Sequence, residues 1–285
     1  MRDPLHSFYA DIGGIPVRLR AFSNLRSLVA WPSRYQGESN SNPAKSPGPS
    51  LYACRFPAMI TAWRKAFKLP DAYFGFVQLS TWCPPPEARV PEMRQTQLEA
   101  VQRAGGKIGF ATNADYGAGC NVHPPAKQHC GYRLGDSALA LVYGQERPWQ
   151  SPMFVSQTFS ASPQPMAVVT VRNTSTAGLD AGTFPHNYLG GGDHGFHCKS
   201  EKGMCAWAAL KLASGVWVNA TVTISAPNQV TLTAPQMDRS AGGAEAALAL
   251  PVASAYGWGN IPMMNVYDRG TNLPLLPFNS SFVPY

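Results

Sequence analysis

Lys107-Ile108-Gly109-Phe110-Ala111-Thr112, followed by Gly119-Cys120-Asn121-Val122-His123-Pro124-Pro125-Ala126-Lys127-Gln128, is the stretch from which the architecture can be read. The first segment is a short apolar run of the kind a buried strand makes. The second leads into a helical pattern over Pro125–Tyr143. His123 therefore falls on a loop at the carboxyl end of a strand and just before a helix. In open α/β sheets that edge is where ligands and catalytic groups gather. The proline pair fixes the backbone after His123 and suits the first turn of a helix. Histidine titrates near neutral pH, which makes His123 a candidate for proton transfer. A capping or packing histidine in a βα loop is the alternative that the local pattern leaves open.

The same alternation recurs upstream. Tyr73 to Leu79 reads as a buried strand, broken by Trp82-Cys83-Pro84-Pro85-Pro86. From Leu51 to Phe67, Leu51, Phe56, Met59, Ile60, Trp63 and Phe67 recur at helical spacing, and Pro70 ends the helix. Pro91 to Ala104 reads as a further helix, with Gly105-Gly106 as its stop signal. Leu25 to Trp31 reads as a short strand, after which a loop rich in Ser, Asn and Pro runs to Pro49. Strands alternating with helices imply a parallel sheet with helices on both faces. Residues 1–26 show no sustained period and are expected to be irregular or a mispredicted N-terminus.

After Tyr143-Gly144 the texture changes. Met166 to Arg172, Val216 to Ile224, Gln229 to Thr233 and Ala247 to Ala253 are β-rich, with turns between them. No long helical period remains, so a domain boundary is expected near Arg147–Ser151, with residues 151–285 forming a sandwich-like β domain.

Composition narrows the function classes. Charged residues make up 14% of the chain, against roughly 25% in an average soluble protein. The net charge of +7 comes from scarce acids, and the 23 Lys and Arg are scattered. A nucleic-acid footprint would concentrate them on one face, so no nucleic-acid partner is expected. No window holds the roughly 18 continuous apolar residues of a membrane span. No G-x-G-x-x-G joins a strand to a helix, and no cofactor is expected. The six cysteines, Cys54, Cys83, Cys120, Cys130, Cys198 and Cys205, form no C-x-x-C knuckle. Cys120 and Cys130 bracket His123, either stapling its loop or standing as free thiols. Sequons at Asn173, Asn219 and Asn279, with the even cysteine count, favour a secreted or lysosomal setting. Met1 to Ala10 lacks the apolar core of a signal peptide.

Several blocks taken together resemble the sialate O-acetylesterases, carbohydrate esterases of the SGNH-hydrolase superfamily. They are Tyr35-Gln36-Gly37-Glu38-Ser39-Asn40, Tyr52-Ala53-Cys54-Arg55-Phe56-Pro57-Ala58-Met59-Ile60 with Trp63-Arg64, Phe74-Gly75-Phe76-Val77-Gln78-Leu79-Ser80, Val122-His123-Pro124-Pro125-Ala126-Lys127-Gln128 and Tyr132-Arg133-Leu134. Ala255-Tyr256-Gly257-Trp258 and Leu273-Pro274-Leu275-Leu276-Pro277-Phe278 resemble the family's closing pattern. The resemblance implies a partial SGNH-type (flavodoxin-like) α/β sheet over 27–150, followed by the β-rich part. It implies a serine esterase that removes O-linked acetyl groups from sialic acid or a related acetylated sugar. His123 matches the family's general base and Asn40 its oxyanion-hole amide, while Gln36, Gly37 and Glu38 match the loop that shapes the site.

The pattern departs from the family in places. The Gly-Gln-Ser-Asn-type nucleophile block and a second glycine-bearing oxyanion block are absent, so no nucleophile is identified and the chain is expected to be inactive by itself. Gly135-Asp136-Ser137-Ala138 imitates a nucleophile motif but lies within the helix after His123. Ser39 lies in the oxyanion block, and Pro32-Ser33-Arg34 reads as an insertion. SGNH enzymes usually carry an aspartate two or three residues before the histidine. Here those positions are Cys120 and Asn121, which leaves Asn121 or the nearest acid, Asp115, to orient the ring. With the nucleophile-bearing strand lacking, the sheet would expose an edge, and the chain is expected to be a fragment that folds poorly alone. His194, His197 and Cys198 read as a metal loop or, in preference, as a loop closed by a Cys198–Cys205 disulfide. A catalytically inert, carbohydrate-binding relative and a β-sandwich interaction module are the other readings.

Overall fold

Phe74-Gly75-Phe76-Val77-Gln78 and Ile108-Gly109-Phe110-Ala111-Thr112 are apolar up to their last residue, and every one of these ten residues is buried. Strands of this kind need cover on both faces. The computed structural model describes residues 7–12, 15–20, 34–42, 48–83, 88–125, 127–181, 208–235 and 250–282. Within them, β3 (Arg34–Tyr35), β4 (Phe74–Gln78) and β5 (Ile108–Thr112) form a parallel sheet in the order β3-β4-β5. The helices are α1 (Gly48–Ala66), α2 (Val90–Ala104) and α3 (Gln128–Tyr143). Side chains alternate across a strand, and the packing follows that alternation. Phe74, Phe76, Ile108 and Phe110 meet Tyr52, Phe56 and Ile60 of α1 and Met93 and Leu98 of α2. Val77 and Ala111 turn the other way, to Cys130 and Leu134 of α3. A Cβ on Gly109 would collide with Ser137 and Tyr73, so the missing side chain is what lets α3 lie against β5.

Local differences from the sequence reading have physical reasons. Residues 1–26 are not wholly irregular, because β1 (Ser7–Ile12) and β2 (Ile15–Arg20) pair as an antiparallel hairpin. Ile15-Pro16-Val17-Arg18-Leu19-Arg20 alternates apolar and other residues, the period-2 pattern of a strand. The strand expected at Leu25–Trp31 lies outside the described residues. Helix α3 begins at Gln128 rather than Pro125.

Beyond Gln150 the chain is β-rich. Strands β6 (Met153–Ser160), β7 (Met166–Arg172), β11 (Thr221–Ala226) and β12 (Gln229–Thr233) form one antiparallel sheet, ordered β11-β12-β7-β6. A second, ordered β10-β9-β13-β15, comprises β9 (Ala208–Leu212), β10 (Trp217–Asn219), β13 (Pro251–Tyr256) and β15 (Phe278–Asn279). β8 (Leu179–Asp180) pairs with β14 (Tyr267–Asp268). Ala167, Val169, Leu210, Val230, Leu232, Tyr256 and Phe278, drawn from both large sheets, share one core. The stretch expected as one strand over Val216–Ile224 divides at Ala220 into β10 and β11, one in each sheet.

Two buried cations tie this β-rich part to the parallel sheet. Arg94 of α2 is 1% exposed and donates to four carbonyls: Leu79 at 2.8 Å, Ser80 at 2.6 Å, Gly259 at 2.6 Å and Asn260 at 3.0 Å. Burial lowers the pKa of its guanidinium. Arg133 of α3 holds both oxygens of Asp115 at 2.8 and 2.7 Å, and Tyr267 of β14 donates to the same carboxylate at 3.1 Å. Burial alone would raise the Asp115 carboxyl, but Arg133 outweighs it and holds the pKa below the usual value.

Arg94→Met is expected to take the guanidinium from three buried carbonyls, Leu79, Ser80 and Gly259, and cost at least about 3 kcal/mol, read from the urea midpoint. Arg94→Lys is not expected to restore it, because an ammonium lacks the planar fork. The depressed pKa of Asp115 means that its pairing stabilises the fold fully above the unfolded value of about 3.9. That contribution is lost as pH falls through the lower folded-state value. Asp115→Asn should therefore weaken the protein at pH 7 and flatten the acid limb of its stability curve below about pH 4, as followed by urea unfolding across pH.

Candidate active site

The carboxyl edge of the parallel sheet gathers the residues that the sequence singled out. Strand β3 delivers the Gln36–Asn40 loop, β4 the Leu79–Cys83 segment, and β5 the loop that carries His123. Gly37 sits at φ 134°, in the left-handed region, and a Cβ there would lie 3.2 Å from Gln97 Nε2. Glycine therefore lets this loop press against α2. Gln97 fixes it further, donating to the Gln36 carbonyl at 2.8 Å and accepting from the Leu79 amide at 3.0 Å. Gln36 donates its side-chain amide to Asn40 Oδ1, which sets the orientation of the Asn40 amide. Ser39, in the short 3-10 turn Ser39–Ser41, is exposed.

His123 stands in solvent, its side chain 70% exposed, and its Nε2 lies 3.5 Å from Glu38 Oε1. The carboxylate against the ring thus comes from the Gln36–Asn40 loop and not from either residue considered upstream of the histidine. Asn121 Oδ1 instead accepts the main-chain N–H of His123 at 2.9 Å, holding the loop's backbone. Asp115 is spent on Arg133 and Tyr267. Ser137 is fully buried in α3, where it donates to the Leu134 carbonyl at 2.8 Å and bonds the Tyr73 hydroxyl at 2.6 Å. A serine so placed does not face the His123 loop.

Several contributors were not read from the sequence. The Tyr35 hydroxyl donates to the Val122 carbonyl at 2.8 Å and accepts from the Ser80 amide and Asn113 Nδ2, both at 3.3 Å. It joins the ends of all three strands one residue away from His123. Burial raises the pKa of this phenol, which keeps it a donor. Lys127 Nζ donates to the Pro124 carbonyl at 2.6 Å and lies 5.7 Å from the Tyr35 ring centroid. His129 stacks on Tyr116 with centroids 4.1 Å apart and bonds Asn113 Oδ1. Cys120 pairs with Cys83, not with Cys130, and so pins the His123 loop to the segment after β4. Cys54 and Cys130 are free thiols, and burial raises the Cys130 pKa to about 11. The sequence carried a signal for Tyr35, which opens the Tyr-Gln-Gly-Glu block, but none for the Cys83 pairing. His194, His197, Cys198 and Cys205 lie outside the described residues. Among the described residues no group of three or more His, Cys, Asp or Glu could hold a metal ion. No helix among them is long and apolar enough to cross a membrane.

No family model matches the chain. The sialate O-acetylesterase of Rattus norvegicus is 32% identical over an aligned length of 146 residues, covering 44% of this chain and 25% of that protein. The sialate O-acetylesterase of Mus musculus is 30% identical over the same aligned length, with the same coverage. The match thus spans about a quarter of the length of these curated relatives. A carbohydrate acetylesterase from Xanthomonas citri, known from its crystal structure, shares the fold with a TM-score of 0.66 and 24% identity. That likeness covers 88% of this chain and 50% of the other. The chain is thus similar to the sialate O-acetylesterases over 44% of its length and shares the fold of a carbohydrate acetylesterase.

Proposed function

We propose that this chain carries the histidine-bearing half of a carbohydrate O-acetylesterase site, for O-acetylated sialic acid or a related acetylated sugar in a secreted or lysosomal setting. The observation that carries this reading is the meeting of His123 and Glu38 at 3.5 Å, on two different loops at one sheet edge. In this role His123 is the general base. It takes the proton of an attacking serine hydroxyl and returns it to the sugar oxygen that leaves. Glu38 positions the ring and stabilises the imidazolium that forms in between. The Asn40 amide, set by Gln36, donates to the acetyl oxygen as it gains negative charge. Asn121 acts through the main chain and Asp115 through the framework; neither needs to touch the substrate.

No Gly-Gln-Ser-Asn block occurs in the 285 residues, and Ser137 is buried away from the loop. The polypeptide by itself is accordingly a binder of acetylated sugar without turnover. With O-acetylated sialic acid as the probe, the chain is expected to release no acetate above the blank. It should nonetheless show saturable binding by titration calorimetry, with Asn40→Ala weakening it about tenfold, or roughly 1.4 kcal/mol. Acetate release that His123→Ala abolishes would support the histidine's role and overturn the inert reading. Release that survives His123→Ala, or absence of binding, would sink the assignment of the site.

A further inference from the structure

We propose that Asn219 is the chain's site of N-glycosylation and that Asn173 and Asn279 remain unmodified. This rests on the secretory setting proposed above, though not on any hydrolytic activity. From Val218 to Ile224 alternate residues point inward. Val218, Ala220, Val222 and Ile224 pack against the core of the two sheets, while Trp217, Asn219, Thr221 and Thr223 are exposed. Side chains two apart in extended chain share a face, so the acceptor amide of Asn219 and the sequon hydroxyl of Thr221 face solvent together. Among the described residues the Asn219 amide has no hydrogen-bond partner, and the exposed Thr221 hydroxyl donates to the Thr233 carbonyl at 3.2 Å.

The position also leaves room for a large adduct. Strand β10 ends at Asn219 and β11 begins at Thr221, so the sequon turns the corner from one sheet to the other. Among the described strands both are the outermost of their sheets. An oligosaccharide there would cover exposed strand edges, a recognised way of blocking edge-to-edge association.

The other sequons are already engaged. Asn173 is half-buried at φ 62°, and its Nδ2 donates to the Ser151 carbonyl at 3.3 Å. Asn279, half-buried in β15, accepts from the amide and hydroxyl of Ser281 at 2.9 and 2.8 Å, so its amide is held in its own turn. In the transfer, Asn219 Nδ2 gives up a proton and bonds to the anomeric carbon of a lipid-linked oligosaccharide diphosphate. The bond from that carbon to the diphosphate oxygen breaks, and the lipid diphosphate leaves with the electron pair and is protonated.

The test is expression of the full chain behind a cleavable secretion leader in cultured animal cells, with occupancy read by glycopeptide mass spectrometry. Reading both cell-associated and secreted chain keeps the result independent of folding yield. Occupancy is expected at Asn219 alone. Asn219→Gln and Thr221→Ala should each abolish the glycan, and Thr221→Ser should retain it. An empty Asn219, or a glycan on Asn173 or Asn279, overturns the proposal. Neither result touches the acetylesterase reading, which is tested by acetate release and sugar binding.

Discussion

A buried guanidinium held by main-chain carbonyls is the constraint on which the assembly of this molecule turns. Arg94 sits on α2, yet its donors end on carbonyls from two distant parts of the chain, Leu79 and Ser80 on one side and Gly259 and Asn260 on the other. A buried charge is tolerated only when its donors are satisfied. The ends of β4 and the Gly257–Asn260 segment must therefore reach α2 together. The Trp82 amide follows the same arrangement, donating to the Asn260 carbonyl at 3.1 Å. Asp115, Arg133 and Tyr267 repeat the device on the opposite face of the sheet. The parallel sheet and the β-rich part are thus joined by directional polar bonds as well as by packing.

That framework brings the site residues together. Gln97, three residues along α2 from Arg94, holds the Gln36 carbonyl and the Leu79 amide. Tyr35 ties Ser80, Asn113 and Val122 through one oxygen. The Cys83–Cys120 disulfide fastens the same two loops from the outside. His123 is exposed, but the chain on both sides of it is fixed, as an acid–base group requires if it is to meet a substrate in one geometry. The Glu38 carboxylate and the Asn40 amide arrive on a separate loop whose shape depends on Gly37 and Gln97. Framework and chemistry are therefore carried by different residues of the same short segments.

The sequence by itself determined the layers of the first half and the location of the histidine. The runs at Phe74–Gln78 and Ile108–Thr112 are apolar on both faces, which forces a covered parallel sheet, and the order strand, loop, helix puts His123 at its carboxyl edge. The Gln36–Asn40 block was legible as a site loop through its resemblance to the sialate O-acetylesterases, not through its place in the chain. The hairpin at Ser7–Ile12 and Ile15–Arg20 escaped because its alternation is short and mixed with Pro and Arg. The splitting of the Val216–Ile224 run escaped because passing from one sheet to another leaves the inward–outward alternation unbroken.

Only the tertiary structure decided which groups meet. Spacing along the chain pointed to Asn121 and Asp115 as partners of the His123 ring, whereas the carboxylate against it belongs to Glu38, 85 positions earlier. Cys120 found Cys83 across 37 residues rather than the nearer Cys130. Asp115 went to Arg133, because a buried carboxylate is stabilised most by a bidentate guanidinium and the first turns of α3 place one above it. Local pattern records which face of a strand or helix is apolar. It holds no record of the long-range closures that burial and hydrogen bonding impose once the faces have packed.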